Sequence, residues 1–118
     1  MESRVATEPV ALLQGTLDVI VLKTLSWGPM HGFGIARWIQ HTTNDALRVE
    51  EGSLYPALYR MENRGWVRAQ WRMTDNNRRA KFYSLTAAGR RQLEAQRTSW
   101  SAFSLAMARI MDATRQPA

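Results

Sequence analysis

Between Leu54 and Leu93 the spacing of the apolar residues changes twice, and few folds accommodate that order. Leu54, Leu58 and Met61 recur at i, i+4 and i+7, one face of a helix. Gly65 then stands where a left-handed C-terminal cap belongs. Trp66 to Arg72 is β-prone and roughly alternating, which predicts a strand. The polar stretch from Met73 to Arg79 contains Asp75-Asn76-Asn77, a strong turn signal, and Ala80 to Leu85 reads as the returning strand. Thr86 is a natural N-cap, with Ala87 and Ala88 opening a helix to about residue 112 that carries Leu93, Trp100, Phe103, Leu105, Met107, Ile110 and Met111. Helix, hairpin and long helix must therefore share one small core.

Upstream, residues 1 to 9 show no periodicity and read as a flexible tail. In residues 10 to 26, Leu13, Leu17, Ile20, Val21 and Leu25 follow helical spacing until Trp27-Gly28-Pro29 stops them. His31-Gly32-Phe33-Gly34 leads into a second helix with Ile35, Ala36 and Ile39, fading near Thr42-Thr43-Asn44-Asp45. Leu47-Arg48-Val49 alternates, which predicts a short strand. Pro56 is tolerated close to a helix start, so the third helix is expected to begin near Gly52.

The order is helix, helix, short strand, helix, strand, turn, strand, long helix. It is mainly α with a small β-hairpin: a winged helix-turn-helix DNA-binding domain over residues 10 to 85, a long C-terminal helix over 86 to 113, and a frayed end at 114 to 118. In this arrangement the second helix of the turn motif enters the major groove, and the hairpin wing reaches the flanking backbone or minor groove.

Charge points the same way. Residues 48 to 97 hold eleven Arg or Lys against five acids, while the rest of the chain balances, so the whole net charge of +6 lies in one segment. A localised basic patch suits a polyanion; a generally basic, solvated surface is the plainer alternative. Fourteen of the sixteen basic residues are arginine, the better bidentate partner for phosphate and guanine.

Other classes fall away. There is no cysteine, and two histidines are too few for a convincing metal site. No paired carboxylates, nucleophile-and-base pattern or Gly-rich phosphate loop marks an enzyme or calls for a cofactor. The N-terminus lacks the order of a signal peptide and no uncharged run is long enough to span a membrane, so a soluble cytoplasmic protein is expected. A winged-helix protein-interaction module without DNA binding is the alternative; its signature would be an acidic or apolar third helix, and the neighbourhood here is basic.

Five stretches together resemble the PadR family of bacterial transcriptional regulators. They are Gly15-Thr16-Leu17-Asp18, His31-Gly32-Phe33-Gly34-Ile35, Glu51-Gly52-Ser53-Leu54-Tyr55-Pro56-Ala57-Leu58, Asn77-Arg78-Arg79-Ala80-Lys81-Phe82-Tyr83 and Leu85-Thr86-Ala87-Ala88-Gly89. The resemblance implies a homodimer joined through the C-terminal and first helices, a double-stranded operator DNA partner, repression as the usual outcome, and release by a small molecule. It places Leu13, Leu17, Trp100, Phe103 and Met107 at the dimer or effector interface. Some PadR-like multidrug sensors sandwich flat aromatic ligands with a tryptophan at the place of Trp100, and carry an acid four residues later. Here that position is Ser104, which argues against a cationic drug and leaves two readings of Trp100, an aromatic effector site or dimer packing alone.

On a helical wheel at about 100° per residue, the face opposite Leu54 holds Gly52, Pro56, Tyr59 and Asn63, with Ser53, Tyr55 and Arg60 on the shoulders. Ser53 and Tyr55 can donate to phosphates or base edges, and Tyr59 and Arg60 reach further along a groove. Tyr55 lies near enough to the apolar face to be core instead. Arg78, Arg79 and Lys81 are the phosphate candidates, with Asn76 and Asn77 at the wing tip; a merely solvated hairpin is the alternative. Strand parity sends Arg79 and Lys81 to one side, away from Ala80 and Phe82. Gly32, at the start of the second helix, offers a backbone N–H to a phosphate. His31 is expected in packing or a single phosphate contact, and Phe33 in either the core or a backbone contact.

Overall fold

The computed structural model describes residues 14–117. Its elements are α1 (Gln14–Leu25), β1 (Met30–His31), α2 (Gly32–Thr42), α3 (Glu51–Asn63), β2 (Val67–Met73), β3 (Arg79–Leu85) and α4 (Ala87–Met111). The expected tail, the first turn of the first helix and Leu13 lie outside the described residues. The three strands form one antiparallel sheet in the order β1-β3-β2.

The core forms where α1, α2 and α3 meet the sheet. Val21, Leu22 and Leu25 of α1 pack with Ile35 and Ile39 of α2 and with Leu54, Ala57, Leu58 and Met61 of α3; Val67 and Tyr83 close it from the sheet, and Leu93 from α4. Among the described residues, no helix is long and apolar enough to cross a membrane.

Local chemistry fixes most of the boundaries. His31 caps α2 through its side chain: Nδ1 accepts from the Gly34 N–H at 2.9 Å. Gly65, at φ 77°, ends α3 in a Schellman arrangement, with Gly65 N–H donating to Glu62 O and Trp66 N–H to Met61 O. The Thr86 hydroxyl accepts from the Gly89 N–H at 3.0 Å and donates to Gly65 O at 2.6 Å, so one side chain caps α4 and holds the end of α3.

Two expectations need correction. The short strand is Met30–His31, paired with Tyr83 and Phe82 of β3, and Leu47–Val49 forms only an isolated bridge at Leu47. Leu47 and Val49 alternate because a loop presses both onto the core after Asn44 and Asp45 turn with positive φ. The helix α3 begins at Glu51, one residue earlier than expected, which sets Pro56 beyond the first turn. The proline therefore forgoes the bond to the Gly52 carbonyl. Gly52 and Pro56 are both exposed, so that carbonyl lies on the open face of the helix.

At 25 residues, α4 is about 37 Å long. Gly89 and Leu93 are buried against the body, but every residue from Arg97 to Pro117 is exposed. The helix thus runs off the domain, giving principal extents of 61 × 33 × 21 Å.

Candidate nucleic-acid interface

The burial of Leu54, Ala57, Leu58 and Met61 decides which way α3 faces. Ser53, Tyr55, Pro56, Tyr59 and Asn63 are left exposed. This open side has a narrow front, where a Cβ added at Gly52 would meet nothing within 4 Å among the described residues.

Its two shoulders are built differently. On one, Tyr55 lays its phenol over Gly32, and a methyl group there would overlap the ring and hydroxyl. Gly32 is therefore buried, with the tyrosine seated over its Cα. Tyr55 itself is half exposed, neither core nor free.

On the other shoulder, Arg60 turns back to α1. Its Nη2 donates to Asp18 Oδ1 at 2.9 Å, across 42 residues of sequence. Asp18 is only 7% exposed, and the guanidinium pairs with it, so Arg60 docks α3 instead of reaching along a groove as expected. Removing one partner strands a charge. Because water reaches the arginine but hardly the carboxylate, Arg60→Met, which strands buried Asp18, is expected to lower stability by about 1–3 kcal/mol, measured by urea unfolding, with Asp18→Ala costing less.

The wing stands beside this helix. Its strands pair from Val67↔Leu85 to Met73↔Arg79. Asn77, at φ 61°, turns the tip, and Asn76, Asn77, Arg78 and Arg79 are all exposed. Arg79 and Lys81 share a side, as parity requires. Lys81 is partly covered, with Nζ 3.8 Å from Glu62 Oε1 of α3 and lying over the Tyr83 ring. That exposed pair contributes little to stability but places a positive charge between helix and wing. Burial, then the neighbouring Glu62 carboxylate and Tyr55, push the Tyr83 phenol above its ordinary value, so it stays protonated.

Arginines on this surface lie against aromatic rings: Arg79 over Trp71 at 5.1 Å, Arg72 over Phe82 at 5.4 Å and Arg37 over the exposed Phe33 at 5.6 Å. Trp71, Arg72, Arg37 and Asp18 were not singled out from the sequence. For Trp71 the signal was present, since strand alternation puts it on the same side as Val67. His31 meets Phe82 edge-on at 5.1 Å, which adds packing to its capping role.

Elsewhere, Gly15, Thr16 and Val19 of α1 and Gln96, Ser99, Trp100 and Phe103 of α4 line an open groove of about 410 Å³. The Trp100 and Phe103 rings are 5.7 Å apart, and Gln96 Oε1 is buried there with no hydrogen-bond donor among the described residues. Met107 is exposed further along α4. Leu17, expected at an interface, is instead 5% exposed within the chain's own core, because α1 spends that stripe on α2 and α3. Among the described residues no cluster of His, Cys, Asp or Glu could hold a metal ion.

The chain is similar to known proteins over most of its length. Residues 21–95 match the Transcriptional regulator PadR-like family. The structure of a PadR-like transcriptional regulator from Bacillus cereus strain ATCC 14579 superposes with a TM-score of 0.74 at 25% identity, over 86% of this chain and 96% of that one. A PadR family transcription regulator from hypervirulent Clostridium difficile gives 0.68 at 25% identity, over 80% and 97%. An uncharacterised protein of Lysinibacillus sphaericus is 24% identical over 90 residues, 76% of this chain and 83% of its own.

Proposed function

The chain belongs to the PadR-like family of transcriptional regulators, and from that premise we propose that it is a cytoplasmic homodimeric repressor that binds operator DNA. The exposed side of α3 enters the major groove, with Ser53, Tyr55, Tyr59 and Asn63 facing base edges and phosphates. The wing lies along the flanking groove, with Arg78 and Arg79 on it and Asn76 and Asn77 at the tip. Half-sites stand about one helical turn apart or somewhat closer. The observation that carries this reading is the wing itself: its exposed arginines stand beside a helix whose outward face is hydrogen-bonding and open at Gly52.

Two copies meet through α4, where Trp100, Phe103 and Met107 are exposed. The groove beside Trp100 takes a flat aromatic effector without a required positive charge. Its binding changes the distance between the two reading heads and releases the DNA.

A gel shift on the upstream region of the protein's own gene tests the DNA reading. The wild type is expected to bind with specificity and to weaken steeply with salt. Arg78→Ala with Arg79→Ala, which removes four arginines from the dimer, should lower the salt slope by about four, with affinity falling about 100-fold or more near physiological salt. Affinity indifferent to sequence, or unchanged in the double variant, overturns the reading.

A further inference from the structure

One face of the β2–β3 hairpin runs from the core into the open. At its inner end Val67 is 3% and Tyr83 5% exposed; at its outer end, on the same side by register, Trp71 is 57% and Met73 56% exposed. Two large apolar side chains therefore stand on the part of the strand that has left the core, where a solvated hairpin would carry polar ones. Trp71 is paired with Lys81 and Met73 with Arg79, and the Arg79 guanidinium lies over the indole at 5.1 Å. With Arg78 at the tip against one exposed acid there, Asp75, the surroundings are net cationic, and Glu62, the nearby acid of α3, faces Lys81.

An apolar edge set among arginines complements a polyanion that offers apolar walls of its own. The minor groove of duplex DNA is such a surface, walled by deoxyribose and strongly negative where it is narrow. We propose that Trp71 and Met73 form a wedge seated in the minor groove beside the bases faced by α3, with the indole packed on the sugar walls and holding Arg79 toward the groove floor. Trp71 is then a specificity-determining residue: the wing selects A·T pairs at the flank, because the amino group of a G·C pair projects into the minor groove and obstructs both indole and guanidinium. This rests on the DNA-binding reading above and adds to it a residue, a groove and a base preference.

The test uses the full chain. Wild-type protein selects sites from a random duplex pool, and the flanking positions are expected to be rich in A·T. Flanking adenines are then replaced by diaminopurine, which adds a minor-groove amino group and leaves the major-groove pattern of A·T in place. Wild type is expected to bind the substituted site about ten-fold more weakly than the plain one, whereas Trp71→Ala binds both within about two-fold of each other. Trp71→Phe, which keeps a flat ring, restores most of the discrimination. Met73→Ala weakens it in part and serves as the readout if Trp71→Ala melts well below the wild type. A selected pool without A·T enrichment, or a ten-fold ratio that survives in Trp71→Ala and Met73→Ala, overturns the wedge while the DNA-binding reading stands. Wild type that selects no site overturns both.

Discussion

Gly89→Ala is expected to produce the largest loss of stability of any single methyl added to this chain. Gly89 is buried in the first turn of α4, and a Cβ there would be driven into the backbone carbonyl of Trp66, with the Leu85 side chain close behind. A side chain in that position could rotate away, but a carbonyl in the link between α3 and β2 cannot. The helix must lift, and lifting it loosens the Thr86 cap and the burial of Leu93. Overpacking of this kind costs about 3 kcal/mol or more, a fall of roughly 10 °C in the thermal midpoint for a domain of this size. Gly15→Ala is the internal control. Among the described residues nothing lies within 4 Å of the added methyl, and stability should hold or rise slightly. A Gly89→Ala protein that melts with the wild type would show that α4 is not seated as described.

Phe103→Glu with Met107→Glu is expected to give a folded monomer that no longer holds its operator. Trp100, Phe103, Met107 and Ile110 follow one another at spacings of three and four, the seam of a helix that packs against another helix. All four are exposed; Trp100 and Phe103 flank the groove beside α1 and Met107 lies beyond it, so the two glutamates are expected to lower the body's melting only slightly. Facing copies would bring four carboxylates into one apolar seam, a cost that association cannot absorb. Sedimentation then reports a single chain. Operator affinity falls by about 100-fold or more, because two half-sites no longer act as one ligand. A wild type that sediments as a monomer, or a double glutamate variant that still binds the operator like wild type, would sink the dimeric reading.

Much of this molecule was legible in its sequence wherever the determinant was local. The Gly65 cap, the Thr86 cap and the Asp75-Asn76-Asn77 turn each rest on the chemistry of a few adjacent residues, and each stands where the pattern put it. The misses share another cause. β1 is two residues long, too short to alternate, and exists only because β3 arrives to pair with it. Arg60 sits on an outer shoulder of the helical wheel, but nothing near it in sequence says that Asp18 of another helix will occupy that shoulder. Gly32 could be read as an open backbone until Tyr55 of α3 covers it. Leu17 belongs to a stripe on α1 wide enough for a core or an interface, and packing within the chain decided which. In each case the missing information was the identity of a neighbour brought in by the fold.

The Thr86 hydroxyl touches both the carbonyl that ends α3 and the amide that begins α4. The wing leaves and returns between those two points, and the Thr86 N–H also donates to Trp66 O at 3.1 Å, so the ends of α3 and α4 are joined by a short hydrogen-bonded junction rather than by a flexible linker. In the proposed dimer built on α4, that junction sets the pitch of the whole instrument: a tilt of α4 against its partner would carry α3 with it. The spacing of the half-sites is then written at the root of the long helix, far from any base, and a protein of this build could acquire a new operator spacing without altering a single residue that reads DNA.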